Sequence, residues 1–236
     1  MSASVSGWLA PEEWQAVALS LRVAAVAMLA SLPLALALAY ALARGRFWGK
    51  QLLNGLVHLP LILPPVVTGY LLLAAFGRRG VVGAFLDQWF GVTLAFRWTG
   101  AALAAAVMAF PLMVRAMRLA IEAVDPRLEE AAATLGASRP WVLLTVTLPL
   151  ILPGIIAGAI LAFAKAMGEF GATITFVSSI PGETQTLSLA VYALLQVPGG
   201  EAQAGRLVLV AIAVSLTALL LSEWLARLVA RRIGGA

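Results

Sequence analysis

An all-α integral membrane protein is predicted, with about five transmembrane helices, a short helix in a loop on one side and a short helix on the other. Three observations lead there. Of 236 residues, 62% are hydrophobic and only 11% are charged, with mean hydropathy +0.97; a soluble domain carries about a quarter charged residues. Five stretches supply the roughly 20 apolar residues that a bilayer core about 30 Å thick demands. Between the third and fourth lies a polar, alanine-rich segment with helix start and stop signals of its own.

The stretches run from about Trp14 to Ala43, Gln51 to Phe76, Gly100 to Ile121, Trp141 to Met167 and Leu207 to Val229. In hydrocarbon a segment must satisfy its own backbone polar groups, so all five read as helices. The opening "MSASVSGWLAPEEWQ" has no basic n-region, so the first stretch is expected to stay in the protein rather than leave as a signal peptide. A sixth candidate, "TLSLAVYALLQVP", would reach only about 20 Å as a helix. It is expected to pack on, or dip into, one face.

Lys and Arg set the orientation. One side collects Arg44, Arg46, Lys50, Arg115, Arg118, Arg127, Arg139, Arg227, Arg231 and Arg232; the other collects Arg78, Arg79, Arg97 and Arg206. The bias places the N-terminus outside, the loop helix and the C-terminus in the cytoplasm. A sixth span would put the C-terminal arginines outside. Arg22 and Lys165 lie within or near the ends of apolar stretches.

Pro33, Pro60, Pro64, Pro65, Pro111, Pro149 and Pro153 fall inside the stretches. Each frees a carbonyl and bends its helix, which serves bundle packing or a transport pathway. In "HLPLILPPVVTGY" three prolines in six residues open the helix over more than a turn, as happens near transporter pathways. "GIIAG", Gly154 to Gly158, is a small-xxx-small step suited to close packing. No repeat or linker divides the chain, so residues 1–236 read as one membrane domain.

Several chemistries lack their residues. There is no Cys, which removes disulfides and thiolate metal sites. His58 is the single histidine; alone it makes no metal site, and a hydrogen bond within the bundle is its expected role. "GRFWGKQ", residues 45 to 51, is one residue short of a phosphate-binding loop and has Gln51 in place of the hydroxyl residue. No nucleophile sits in a "GxSxG"-like context, so covalent catalysis is not expected. The pI of about 10.4 and net charge of +5 reflect loop arginines facing membrane lipid and setting topology, not nucleic-acid binding.

The loop reads "DPRLEEAAATLGASRP" from Asp125 to Pro140. Asp125 is a suitable N-cap and Pro126 a suitable first residue. Glu129 and Glu130 lie near the positive end of the macrodipole. Leu128, Ala131, Ala132 and Leu135 share a face, and Gly136 ends the helix. These residues fit a helix lying in the lipid interface and a shallow surface gripped by another protein equally well.

From Glu130 the pattern is Glu-Ala-Ala, three residues, Gly136, nine residues, then Val146-Thr147-Leu148-Pro149. This spacing resembles the EAA loop of type I, binding-protein-dependent ABC importer permeases, matched at Glu130, Ala131, Ala132, Gly136 and Pro149; Val146 stands where that family often has Ile. Further stretches, "VHLPLILPPVVTGYLLL", "GRRGVVGAFL", "AVMAFPLMVRAMRLAIEAVD", "GEFGATITFVSSIPGETQTL" and "QVPGGE", are similar to the molybdate permease branch, from about Trp14 to Arg231. The resemblance implies that the loop, Glu129 included, is a coupling helix docking on a cytoplasmic ATPase subunit. It implies a permease homodimer, two such ATP-binding subunits and an extracytoplasmic oxyanion-binding protein. ATP and Mg would be bound by the partner, with no cofactor on this chain.

Under that resemblance, ATP-driven movement of the partner subunits switches the bundle between inward-open and outward-open states. Pathway or gate candidates are Pro64 and Pro65 at the helix break and Thr68, Thr173, Thr175, Ser178 and Ser179, whose neutral hydroxyl donors pass a dianion without trapping it. Hydroxyls in membrane helices also commonly bond a nearby carbonyl instead. Glu169 would repel an anion, and Lys165 lies four residues before it at pairing distance. The pair is expected to be a gate or structural lock. Sulfate or tungstate are alternative cargoes. An ion-driven secondary transporter and an intramembrane enzyme are disfavoured by the few intramembrane acids and the missing nucleophile context.

Overall fold

A computed structural model describes residues 8–234. The side chains of Arg227, Arg231 and Arg232, which enter the charge bias, lie outside the described residues. The helices are α1 (Pro11–Arg44), α2 (Lys50–Ile62), α3 (Pro65–Phe76), α4 (Val81–Phe90), α5 (Trp98–Glu122) and α6 (Pro126–Thr134). They continue as α7 (Arg139–Val142), a π-helical turn (Leu143–Thr147), α8 (Leu148–Met167), α9 (Gly171–Val177), α10 (Leu187–Leu195) and α11 (Glu201–Gly234). Four helical segments are long and apolar enough to cross a membrane: α1, α5, the continuous Arg139–Met167 and α11. The bent pair α2–α3 makes five if it counts as one span.

α5 is the centre. Of its most apolar 18 residues 61% are buried, against 11% for α11, which lies at the periphery. α1 and α5 pack against each other, and both bury alanines: Ala16, Ala24, Ala27, Ala35 and Ala39 on one, Ala101, Ala104, Ala105 and Ala109 on the other. Lipid tails are as apolar as leucine, so association in a membrane rests on close packing, and small side chains allow it. The "GIIAG" step does the same for α8 on α5. A Cβ on Gly154 would stand 2.2 Å from that of Ala120, and one on Gly158 would stand 3.2 Å from that of Ala116.

The second apolar stretch is not one spanning helix, as the sequence suggested. α2 and α3 meet at 113°, and at about 20 and 18 Å neither crosses the core alone. Leu63 precedes a proline and is extended (φ −70°, ψ 144°), and Pro64 and Pro65 lack the N–H groups that would continue the ladder. The fourth stretch ends at Gly168, in line with its apolar run to about Met167, and Thr173 and Thr175 lie just beyond it on the separate α9. α10 has nine residues, about 13 Å, and is the expected short helix. α11 extends beyond the apolar run at both ends, and α4, bounded by Gly80 and Gly91, was not anticipated as an element.

The two ends of the bundle differ. At one, α6 sits beside the last turn of α1 and the start of the Arg139–Met167 span. At the other, Glu13 of α1 pairs with Arg206 of α11 at 3.1 Å, the backbone N–H of Leu187 donates to Ser20 Oγ, and Arg22 stacks on Trp98 at 3.7 Å. Arg22, set in an apolar stretch, thereby gains an aromatic partner where the helices emerge.

Candidate functional site: a loop helix and two facing helix breaks

α6 forms where its caps dictate. Asp125 Oδ1 accepts from the Arg127 N–H at 3.0 Å, and Pro126 occupies the first position, where no donor is needed. At the other end Gly136 adopts φ +88°, and Ala137 N–H donates to Ala132 O while Gly136 N–H donates to Ala133 O. That is the Schellman arrangement, which favours glycine at this position. No residue of α6 is buried. Leu128, Ala131 and Leu135 are exposed and Ala132 half-buried; Leu135 is 89% exposed. Ala132, Leu135, Gly136, Trp141 and Thr145 line a shallow concavity. The apolar stripe read from the sequence is therefore unpartnered among the described residues.

Glu129 and Glu130 go different ways. Glu130 is exposed. Glu129 turns toward the bundle and meets the Arg44 guanidinium (Nε–Oε2 3.3 Å) and the Thr147 hydroxyl, which donates to Oε1 at 2.8 Å. Arg44 also donates to the Val124 carbonyl at 2.9 Å. Thr147 is fully buried and closes the π-helical turn, in which Leu148 N–H reaches back five residues to Leu143 O. Pro149 explains the turn: it cannot donate to the carbonyl of Thr145, and its ring would crowd that carbonyl.

The second locus brings both helix breaks together. α3 packs on α9 so closely that a Cβ on Gly69 would stand 2.5 Å from the Ala172 carbonyl oxygen, and one on Gly171 would stand 2.6 Å from Pro65 Cβ. Glu169 is buried in the α8–α9 break. Its Oε2 accepts from Lys165 Nζ at 2.7 Å and its Oε1 from the Ala172 N–H at 3.0 Å, capping α9. Phe170 rests on Tyr192 of α10, ring centroids 5.0 Å apart. Pro64 and Pro65 start α3 directly opposite.

The hydroxyls divide. Thr68 is buried, and its Oγ1 has no hydrogen-bond partner among the described residues. Thr173 is buried on α9. Thr175 donates to its own helix at Gly171 O, 2.9 Å, and so is tied up locally. Ser178, at φ +62°, is exposed where the chain leaves α9, and Ser179 is bonded to Gln185. His58 Nδ1 lies 2.8 Å from the Asn54 carbonyl one turn back. Its neighbour Asn54 receives Arg118, which also holds Glu122.

Sequence reasoning missed the Arg44–Glu129–Thr147 cluster. The available signal was helical phase: adjacent residues point about 100° apart, which lets Glu129 and Glu130 meet different surroundings but does not say which of them turns inward.

Residues 31–235 match the family model described as "binding-protein-dependent transport system inner membrane component". The chain is 60% identical over 226 residues to the molybdenum transport system permease protein ModB of Escherichia coli, covering 96% of this chain and 99% of that protein. It is 58% identical over 222 residues to ModB of Haemophilus influenzae, covering 94% and 97%. The sulfate transport system permease protein CysT of Salmonella typhimurium is 40% identical over 161 residues, 68% of this chain and 58% of that one. Among solved structures, a bacterial ABC transporter importing alginate superposes with TM-score 0.74 at 19% identity over 93% of this chain and 80% of that chain. The methionine transporter MetNI superposes with TM-score 0.68 at 16% identity over 97% and 99%. These last two likenesses concern the fold. The chain thus belongs to the binding-protein-dependent transport system inner membrane components, as a multi-pass transport permease.

Proposed function

We propose that this chain is the membrane permease of an ATP-driven molybdate importer. It acts as a single permease domain over about residues 14–231. Two copies would form the pathway about a twofold axis, served by two cytoplasmic ATP-binding subunits carrying ATP and Mg and by an extracytoplasmic oxyanion-binding protein. The observation that carries the reading is 60% identity to a molybdenum permease across 96% of the chain. The lower identity and shorter overlap with a sulfate permease favour molybdate over sulfate.

The loop supports the same reading. A capped helix without a buried residue and with an apolar stripe turned outward suits reversible docking by another protein. Glu130, Ala131, Ala132 and Gly136 would present that surface, and Pro149 would set the turn behind it. The bias of ten basic residues against four supports an orientation with α6 and the C-terminus in the cytoplasm and the N-terminus outside. The facing breaks, with Pro64, Pro65, Thr68 and Thr173, would border the gate. Lys165 and Glu169 would lock it structurally, since the Glu169 oxygens already hold Lys165 and α9.

The test is uptake of radiolabelled molybdate into vesicles containing the permease, its ATPase and the binding protein. ATP-dependent uptake that excess sulfate leaves intact is expected. Uptake that follows an ion gradient without ATP would overturn the reading.

A further inference from the structure

We infer that Glu129 is the positioning residue that carries displacement of α6 into the bundle, acting through Arg44 on α1 and Thr147 on the π-helical turn. This rests on the reading of α6 as the ATPase-docking helix. α6 buries nothing of its own, so a partner pulling on it moves the bundle only through links from α6 to other elements. Among the described residues, the charged side-chain link out of α6 is Glu129. One carboxylate holds two elements far apart in sequence: Arg44 at 3.3 Å and Thr147 at 2.8 Å. Arg44 in turn grips the Val124 carbonyl just before the loop, so both sides of the entry to α6 are tied to the last turn of α1.

The other half of the link is the π-helical turn. Its i+5 hydrogen bonding leaves room for a change of register, and such turns cluster at functional positions. Thr147 is fully buried at its end, so a shift of Glu129 is transmitted directly to the start of α8. α8 runs as one helix, with Pro153 within it, to Lys165 and the α8–α9 break. A single element thus connects the docking helix to the facing breaks. The short bond is the one from Thr147 at 2.8 Å, and a hydrogen bond to an ionised carboxylate is stronger than a neutral one, whereas Arg44 contributes a longer ion pair.

The experiment uses the whole complex of permease, ATPase and binding protein in proteoliposomes, and reads molybdate imported per ATP hydrolysed. Glu129→Ala and Arg44→Ala should each lower that ratio about 5-fold or more while the complex still assembles. The double variant should fall no further than either single one. Thr147→Val, which removes only the hydroxyl, should lower the ratio about 3-fold or more, and Thr147→Ser should restore it. Unchanged ratios, or additive losses in the double variant, would overturn the inference while leaving the importer reading intact. If Glu129→Ala does not assemble, the Thr147 pair decides, and equal ratios for Val and Ser overturn it. Wild-type complex without molybdate-dependent ATPase activity would overturn the importer reading itself, and the inference with it.

Discussion

Replacing Gly69 with alanine probes the contact between the two breaks. The added Cβ would lie 2.5 Å from the Ala172 carbonyl oxygen, 2.8 Å from Thr175 Cβ and 2.9 Å from Ala172 Cα. Ordinary contact begins at 3.4 Å, so α3 and α9 must separate by about 0.9 Å, and the obstruction is backbone that no rotamer change relieves. Overpacking of this kind costs about 1–3 kcal/mol, offset by up to about 1 kcal/mol because alanine is the better helix former. The net expectation is about 1–2 kcal/mol of destabilisation. For a chain of this length that corresponds to a fall in Tm of roughly 2–8 °C. Gly55 on α2 supplies the control, since nothing lies within 4 Å of its Cβ position; Gly55→Ala should be neutral or slightly stabilising. Thermal denaturation of both purified variants in detergent, with molybdate uptake measured in parallel, checks the sign. If Gly69→Ala melts with Gly55→Ala and transports normally, α3 and α9 do not interlock as described.

Further expectations follow from the same geometry. Thr68→Val removes a buried hydroxyl without a partner among the described residues, so it should hold or raise Tm; uptake should nevertheless fall if that hydroxyl faces the transported anion, and unchanged uptake would remove Thr68 from the pathway. Glu169→Ala strips the acceptor from Ala172 N–H and Lys165 and should cost about 2–3 kcal/mol, with Glu169→Gln milder because one amide oxygen still caps α9; a Glu169→Gln variant with wild-type transport and coupling would show that the pair is no lock. Asp125→Ala should cost α6 about 1 kcal/mol through its lost cap, seen as faster amide exchange confined to residues 126–134, with the Tm of the bundle unchanged because α6 buries nothing.

Much of the molecule was legible in the sequence because it rests on local rules. Asp125, Pro126 and Gly136 mark both ends of α6, and the structure realises them through the Asp125 carboxylate, the first-position proline and the left-handed backbone of Gly136. Hydropathy located the helices that cross, since length and composition alone decide that. The remainder depends on tertiary geometry. Pro64–Pro65 announced a break, yet its 113° angle comes from α3 lying down against α9, and that packing needs Gly69 and Gly171 to face a partner about a hundred residues away. α4 escaped notice because ten residues between glycines are too short to stand out beside so many longer apolar runs. Glu129 and Glu130 look equivalent in the sequence; only the position of Arg44 and the π-helical turn turns one inward and leaves the other exposed.

The most direct measurement is ATPase activity of the permease, ATPase and binding protein reconstituted in liposomes, with and without molybdate. The wild-type complex should be stimulated by loaded binding protein. Glu130→Ala combined with Gly136→Ala should abolish the stimulation, with pull-down of the ATPase showing whether docking or only signalling is lost. Full stimulation in that double variant would contradict the claim that α6 is where the energy of ATP enters this bundle.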